Sequence, residues 1–122
     1  MLKKFKKSKI PRRKKTKNLT YKDYSRMCKF KFDVEGYPEE FNLDLIREKG
    51  WYDNKNNQNG VSRDHMLSIS LGWKMDISPK ILKHPANCKL MLFQENNKKA
   101  WRSSLNIEEL MKRIKQWDRK YK

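Results

Sequence analysis

The sequence predicts a small α+β domain. Two stretches have the length and pattern of strands, VSRDHM and the apolar run CKLMLF. The C-terminal stretch carries apolar residues at helical spacing. A chain of 122 residues is of the size of one domain.

The first element is a basic arm. Residues 1–18, MLKKFKKSKIPRRKKTKN, hold ten Lys or Arg and no acid, so seventeen minus ten leaves +7 for residues 19–122. Such a segment has too little apolar surface to bury and is expected to be disordered alone. Lying along a phosphate backbone is its favoured role over a solubilising or targeting tail, with Arg12, Arg13, Lys14 and Lys15 as candidate nucleic-acid contacts.

CKFKFDV, 28–34, alternates with period two and suits a short half-buried strand. A short helix is expected next, starting near Glu39 and Glu40, carrying Leu43, Leu45 and Ile46, and closed by Gly50. DNKNNQNG, 53–60, is a polar turn with a hairpin-type Asn-Gly end. VSRDHMLSIS, 61–70, is expected to be strand. DISPKILKHPAN, 76–87, carries two prolines and should be mostly loop.

CKLMLF, 88–93, has strand length and is followed by a helical QENNKKAWRSS. The two asparagines are poor helix-interior residues, and that mismatch points to a use for one of them. The last helix spans about 107–121. Asn106 is positioned to cap it with Glu109 completing a capping box, and Ile107, Leu110, Met111, Ile114, Trp117 and Tyr121 form an apolar stripe.

The formal charge of +17 concerns partners more than fold. It points to a polyanion: DNA, RNA or, more weakly, an anionic membrane. No apolar run reaches 18 residues and no secretory signal follows the basic start, so neither a membrane partner nor export is expected and a cytoplasmic location is. Cys28 and Cys88 form no CxxC pair, which disfavours a zinc ribbon and suggests reduced, partly buried thiols.

Asp64 and His65 stand side by side on the second expected strand. Neighbours on a strand point to opposite faces. For both to serve one phosphate, the strand must bend or end there. A histidine near its ordinary pKa of about 6.5 is largely neutral at pH 7 and suits a general base. Downstream, HPANCKLMLFQENNKK places Asn87 and Asn96 nine residues apart and Lys99 three beyond Asn96.

The combination DH…N…N-x-x-K, together with CKFKF, GWY, GVSRDHM, HPANCKLM and ENNKK, resembles the HNH endonucleases, the phage-encoded type in particular. The resemblance runs from about Tyr24 to Tyr121. It implies a ββα-metal finger at about 60–103, flanked by an N-terminal strand and helix and by the C-terminal helix. It also implies metal-dependent DNA cleavage. Asp64 would be a metal ligand, His65 the general base, Asn87 the catalytic-site asparagine that braces the hairpin loop and helps set the histidine ring, and Asn96 the second ligand, favoured over Asn97 by its spacing to Lys99.

Two oxygen donors suit Mg²⁺ first and Mn²⁺ second, with no zinc and no small-molecule cofactor expected. Arg63 and Lys99 are candidate phosphate contacts, and His84 is expected to make a structural hydrogen bond.

The chain departs from the family in having Asn96 where a histidine is common, in a longer loop between His65 and Asn87, and in lacking stapling cysteine pairs. Stability then falls to Trp51, Trp73, Trp101, Trp117 and the aliphatic residues. The rival reading is a non-catalytic basic DNA- or RNA-binding protein. A toxin-type nuclease with a histidine-rich metal site is disfavoured by the presence of only two histidines.

Overall fold

The computed structural model describes residues 10–14 and 18–122. Among them the chain is α+β, with one two-stranded antiparallel sheet and six helices. Helix α1 spans Tyr21–Met27 and α2 spans Leu43–Lys49, with a 3-10 turn at Val34–Gly36 between them. Strand β1 is Val61–His65. It is followed by α3 at Ile69–Lys74, α4 at Pro79–Leu82 and a 3-10 turn at Pro85–Asn87. Strand β2 is Cys88–Leu92, α5 is Phe93–Lys99 and α6 is Ile107–Tyr121.

Local chemistry explains most of these boundaries. Thr20 and Asp23 form a reciprocal capping box at the start of α1, and Asn106 and Glu109 do the same for α6. Asn42 caps α2, so that helix starts after Glu39 and Glu40; both acids instead pair with Lys120 on α6, at 2.8 and 2.9 Å. Gly50 ends α2 at φ 71°, a left-handed value that glycine adopts without strain. Gly60 lies against the backbone of Trp51 and Tyr52, where a Cβ would come within 2.4 Å of Tyr52 N. That close approach lets residues 50–52 add a bridge beside β1, through Val61 N to Gly50 O and Tyr52 N to Val61 O.

Four sequence expectations are corrected. CKFKFDV is not a strand: it is irregular chain ending in the 3-10 turn, and α1 stands just before it. Its alternation is real, with Phe30 and Phe32 half-buried and Lys29 and Lys31 exposed, but among the described residues no neighbouring strand accepts its backbone. The strand expected over 61–70 stops at His65, because the Ser68 hydroxyl accepts from Leu71 N and starts α3. The expected loop at 76–87 holds α4 and a 3-10 turn, since Pro79 and Pro85 sit in first turns, where a missing N–H costs nothing. The helix expected over 94–104 begins one residue earlier, at Phe93, and ends at Lys99.

The basic arm is also corrected in part. Residues 10–14 dock on the domain: Ile10 is buried, Arg12 bridges to Ile77 in antiparallel fashion, and Ser78 N donates to Pro11 O at 2.9 Å. Residues 1–9 and 15–17 of the arm, Lys15 included, lie outside the described residues.

The core joins the helices to the sheet. Tyr24, Cys28, Val34, Val61, Leu67, Ile77, Leu82 and Leu110 are buried at its centre. The Tyr24 hydroxyl donates to Ile77 O at 2.7 Å, which satisfies a buried polar tip. Gly72 makes room for that ring, as a Cβ there would lie 2.7 Å from the Tyr24 oxygen. Helix α6 buries Ile107, Leu110, Ile114 and Trp117, and Trp117 packs against Tyr37, Phe41 and Tyr121.

Candidate functional site

β1 and β2 pair from Val61↔Leu92 to His65↔Cys88. α5 follows β2 directly and turns back across the sheet. Because β2 runs against β1, α5 runs with β1. Two residues of strand advance about 6.6 Å and three of helix about 4.5 Å, so two successive contacts can form along the pair. Asn96 Nδ2 donates to Ser62 Oγ at 3.1 Å, and Lys99 Nζ reaches Asp64. Ser62 and Asp64 therefore share the β1 face that α5 covers.

The other face of β1 carries Arg63 and His65. It meets the irregular segment after α1. The His65 ring stacks on Phe30, with centroids 4.0 Å apart and planes 16° from parallel. Its Nε2 lies 2.7 Å from Cys28 O. A carbonyl only accepts, so Nε2 carries the hydrogen and the lone pair of the neutral ring is on Nδ1. Nδ1 makes no hydrogen bond among the described residues. Burial holds the His65 pKa below its ordinary value, against the opposing pull of the Cys28 carbonyl and Asp64, so the ring is neutral near pH 7.

β1 ends at His65, and the two faces meet there. A cleft of about 200 Å³ lies at that end of the strand, lined by Asp64, His65 and Asn96 together with Arg63, Ser68 and Trp101. Asp64 is 4% exposed. Lys99 Nζ sits 3.0 Å from Oδ1, 3.0 Å from Oδ2 and 2.9 Å from His65 O. The contacts to Oδ1 and to His65 O have hydrogen-bond geometry, and that to Oδ2 does not. Oδ2 is buried and lacks a hydrogen bond among the described residues.

Asn87 is fully buried. Its Oδ1 accepts from Leu67 N at 2.7 Å, and its Nδ2 donates to Leu67 O and Leu82 O. The side chain thus ties the exit of β1 to the end of α4, closing the long loop between the strands. Its hydrogen bonds go to Leu67 and Leu82 and not to the His65 ring, contrary to the expectation that it helps set that ring. The Asn87 main chain adds Met66 N to Asn87 O at 2.8 Å, extending the pairing one step beyond the strand ends.

The remaining candidates separate. Arg63 lines the cleft, with its guanidinium 5.2 Å from the Trp51 ring and 5.8 Å from that of Phe32. Lys99 is held by Asp64 and turned inward. Arg13 is engaged with Asp76 at 2.8 Å and lies 3.9 Å over the Trp73 ring, so its charge is already paired. Arg12 donates to Met75 O, and Lys14 is exposed. His84 stands outside the cleft: Nδ1 accepts from Ala86 N, and Nε2 donates to Asp118 at 2.9 Å, pinning α6 to the second 3-10 turn. Asn97 is exposed, whereas Asn96 is half-buried and lines the cleft.

Four contributors escaped the sequence reading: Cys28 through its carbonyl, Phe30, Ser62 and Trp101. Period two places Ser62 on the Asp64 face and so contained a signal for it. The Cys28 and Phe30 contacts span more than thirty residues and leave no local signature. Among the described residues no three His, Cys, Asp or Glu side chains gather into a metal-holding group, and no helix is long and apolar enough to cross a membrane.

Compared with known proteins, the chain matches no family model, no curated protein and no solved structure.

Proposed function

We propose that this chain is a divalent-metal-dependent DNA endonuclease of the HNH type, with β1, β2 and α5 as its ββα-metal finger. The observation that carries this reading is the convergence of Asp64, His65 and Asn96 on one cleft at the end of β1. The three side chains come from two elements and a stretch of thirty-three residues, yet each presents the chemistry that phosphodiester hydrolysis requires.

The donor set fits a hard cation. Asp64 Oδ2 is a buried carboxylate oxygen that makes no hydrogen bond among the described residues, with the Lys99 ammonium 3.0 Å away; its free lone pairs leave it able to bind a cation. Asn96 uses its Nδ2 on Ser62, which leaves Oδ1 as a donor. One carboxylate and one amide oxygen suit Mg²⁺, with Mn²⁺ as the alternative. When bound, the ion neutralises charge growing on the phosphate and stabilises the leaving 3′ oxygen.

His65 supplies the base. Its Nδ1 lone pair takes a proton from water, and Cys28 O holds Nε2–H as the ring becomes charged. The resulting hydroxide oxygen bonds to phosphorus as the P–O3′ bond breaks. The products are a 5′-phosphate and a 3′-oxygen that takes its proton from solvent. Phe30 fixes the ring plane by stacking. Arg63 at the cleft edge contributes a guanidinium to phosphate binding. Lys99 competes with a metal for Asp64; released from that carboxylate, its ammonium is available to a phosphate oxygen. The charge of +17 supplies salt-sensitive, largely sequence-independent affinity for DNA.

One observation favours a second reading. The Lys99–Asp64 pair already gives the buried carboxylate a cation, as a purely structural ion pair does. The chain would then be a non-catalytic DNA or RNA binder. Conversion of supercoiled plasmid to nicked or linear forms with Mg²⁺, stopped by EDTA, supports the endonuclease. A metal-insensitive gel shift without cleavage supports the binder.

A further inference from the structure

Trp101 is 71% exposed at the mouth of the cleft. The turn that carries it is firmly built. Ala100 adopts φ 53°, a left-handed value that costs a non-glycine residue roughly 1–3 kcal/mol. Arg102 folds back onto the end of α5, donating from Nε to Lys99 O at 3.1 Å and from Nη2 to Lys98 O at 2.6 Å. Ser103 Oγ accepts from Ser68 N at 2.9 Å, and Ser104 N donates to Met66 O at 2.8 Å. Backbone and side chains on both sides are tied down, and the indole between them is left in solvent. Burying Trp101 would be the expected outcome of folding for its large apolar surface.

Tyr21 of α1 also lines the cleft, 44% exposed, its ring held edge-on to Trp73 at 5.8 Å. Two aromatic rings thus border the cleft that contains Asp64, His65 and Asn96. Arg63 lines the same cleft, Lys98 and Arg102 flank the turn, and the chain as a whole carries +17. Exposed aromatic faces inside a positive field are what single-stranded nucleic acid binds, because every unpaired base offers a π-face and every linkage a negative charge.

We infer that Trp101 is a base-stacking platform and that the cleft takes an unpaired nucleotide, in single-stranded or locally opened DNA, beside the phosphate to be cut. This rests on the nuclease reading for the phosphate and extends it to the base. A base within an intact duplex is covered on both faces and cannot stack on the indole without being unpaired first.

The test uses the full chain in EDTA, where cleavage plays no part. Fluorescence anisotropy compares binding of a labelled oligothymidylate with binding of a blunt duplex at one salt concentration. Trp101→Ala is expected to weaken single-strand binding roughly tenfold while changing duplex affinity less than about twofold; Trp101→Phe, which keeps a ring, stays within about threefold of the wild type on the single strand. Equal weakening on both ligands, or none on the single strand, overturns the inference. Because no metal is present, plasmid cleavage can fail while this result stands, and the reverse.

Discussion

The ammonium of Lys99 lies 3.0 Å from each carboxylate oxygen of Asp64, with both side chains largely out of solvent. Removing one partner of a buried ion pair leaves the other charge stranded, at a cost of about 3–5 kcal/mol. Lys99→Met should therefore lower the unfolding free energy by roughly 3 kcal/mol, measured by urea titration in EDTA. If Asp64 binds metal, Mn²⁺ should recover more of that loss in Lys99→Met than it adds to the wild type. An equal Mn²⁺ effect on both proteins would count against Asp64 as a ligand.

Asn87 serves three backbone groups of the buried loop between β1 and β2. Asn87→Ala leaves Leu67 N, Leu67 O and Leu82 O without those partners. Each stranded group costs about 1–3 kcal/mol, so the variant should lose at least about 3 kcal/mol or fail to fold. Near-wild-type stability would show that the loop does not depend on this side chain.

Much of the fold was legible because its signals are local. The capping box and apolar stripe of α6 lie within sixteen residues, and the helix forms over Ile107–Tyr121 as expected. β1 and β2 were found by pattern as well. CKFKFDV misled for a physical reason: period two reports which way side chains face along extended chain, and it is blind to whether another strand is present to receive the backbone. MLSIS misled similarly, since alternation concealed the capping hydroxyl of Ser68.

At the site, motif spacing singled out Asp64, His65 and Asn96, which meet at the cleft. The inward turn of Lys99 was not legible, because it depends on α5 crossing β1, a long-range arrangement. The pairing of Arg13, a candidate phosphate contact, with Asp76 was not legible either, because the two are distant in sequence.

The two thiols are predicted to be inert in the folded chain. Burial pushes Cys28 up to about 11 and Cys88 up to about 12. An unfolded thiol ionises near 8.5. The folded values are raised, so the associated stability is fully present below about pH 8.5 and is lost as pH rises toward the folded values. At pH 8 both should react with iodoacetamide only at the rate of unfolding, and fully in denaturant. Rapid native labelling of either would contradict its burial.

Phe30 stacks on His65 but has no group for proton transfer, so it is a positioning residue. Phe30→Ala should lower the cleavage rate at saturating DNA about tenfold or more while DNA affinity stays within about twofold. Phe30→Tyr, which retains the ring, should recover most of the rate. A loss of affinity as large as the loss of rate would instead indicate general disruption of the 28–32 segment.

The most direct measurement compares His65→Ala and His65→Gln with the wild type, scoring Mg²⁺-dependent plasmid cleavage and DNA affinity in EDTA on the same preparations. With His65 as the base, both variants lose cleavage by about a hundredfold or more and bind DNA almost unchanged, His65→Gln retaining a donor suited to Cys28 O. Undiminished cleavage by either folded variant, or no Mg²⁺-dependent cleavage by the wild type, would contradict the catalytic role given to this histidine.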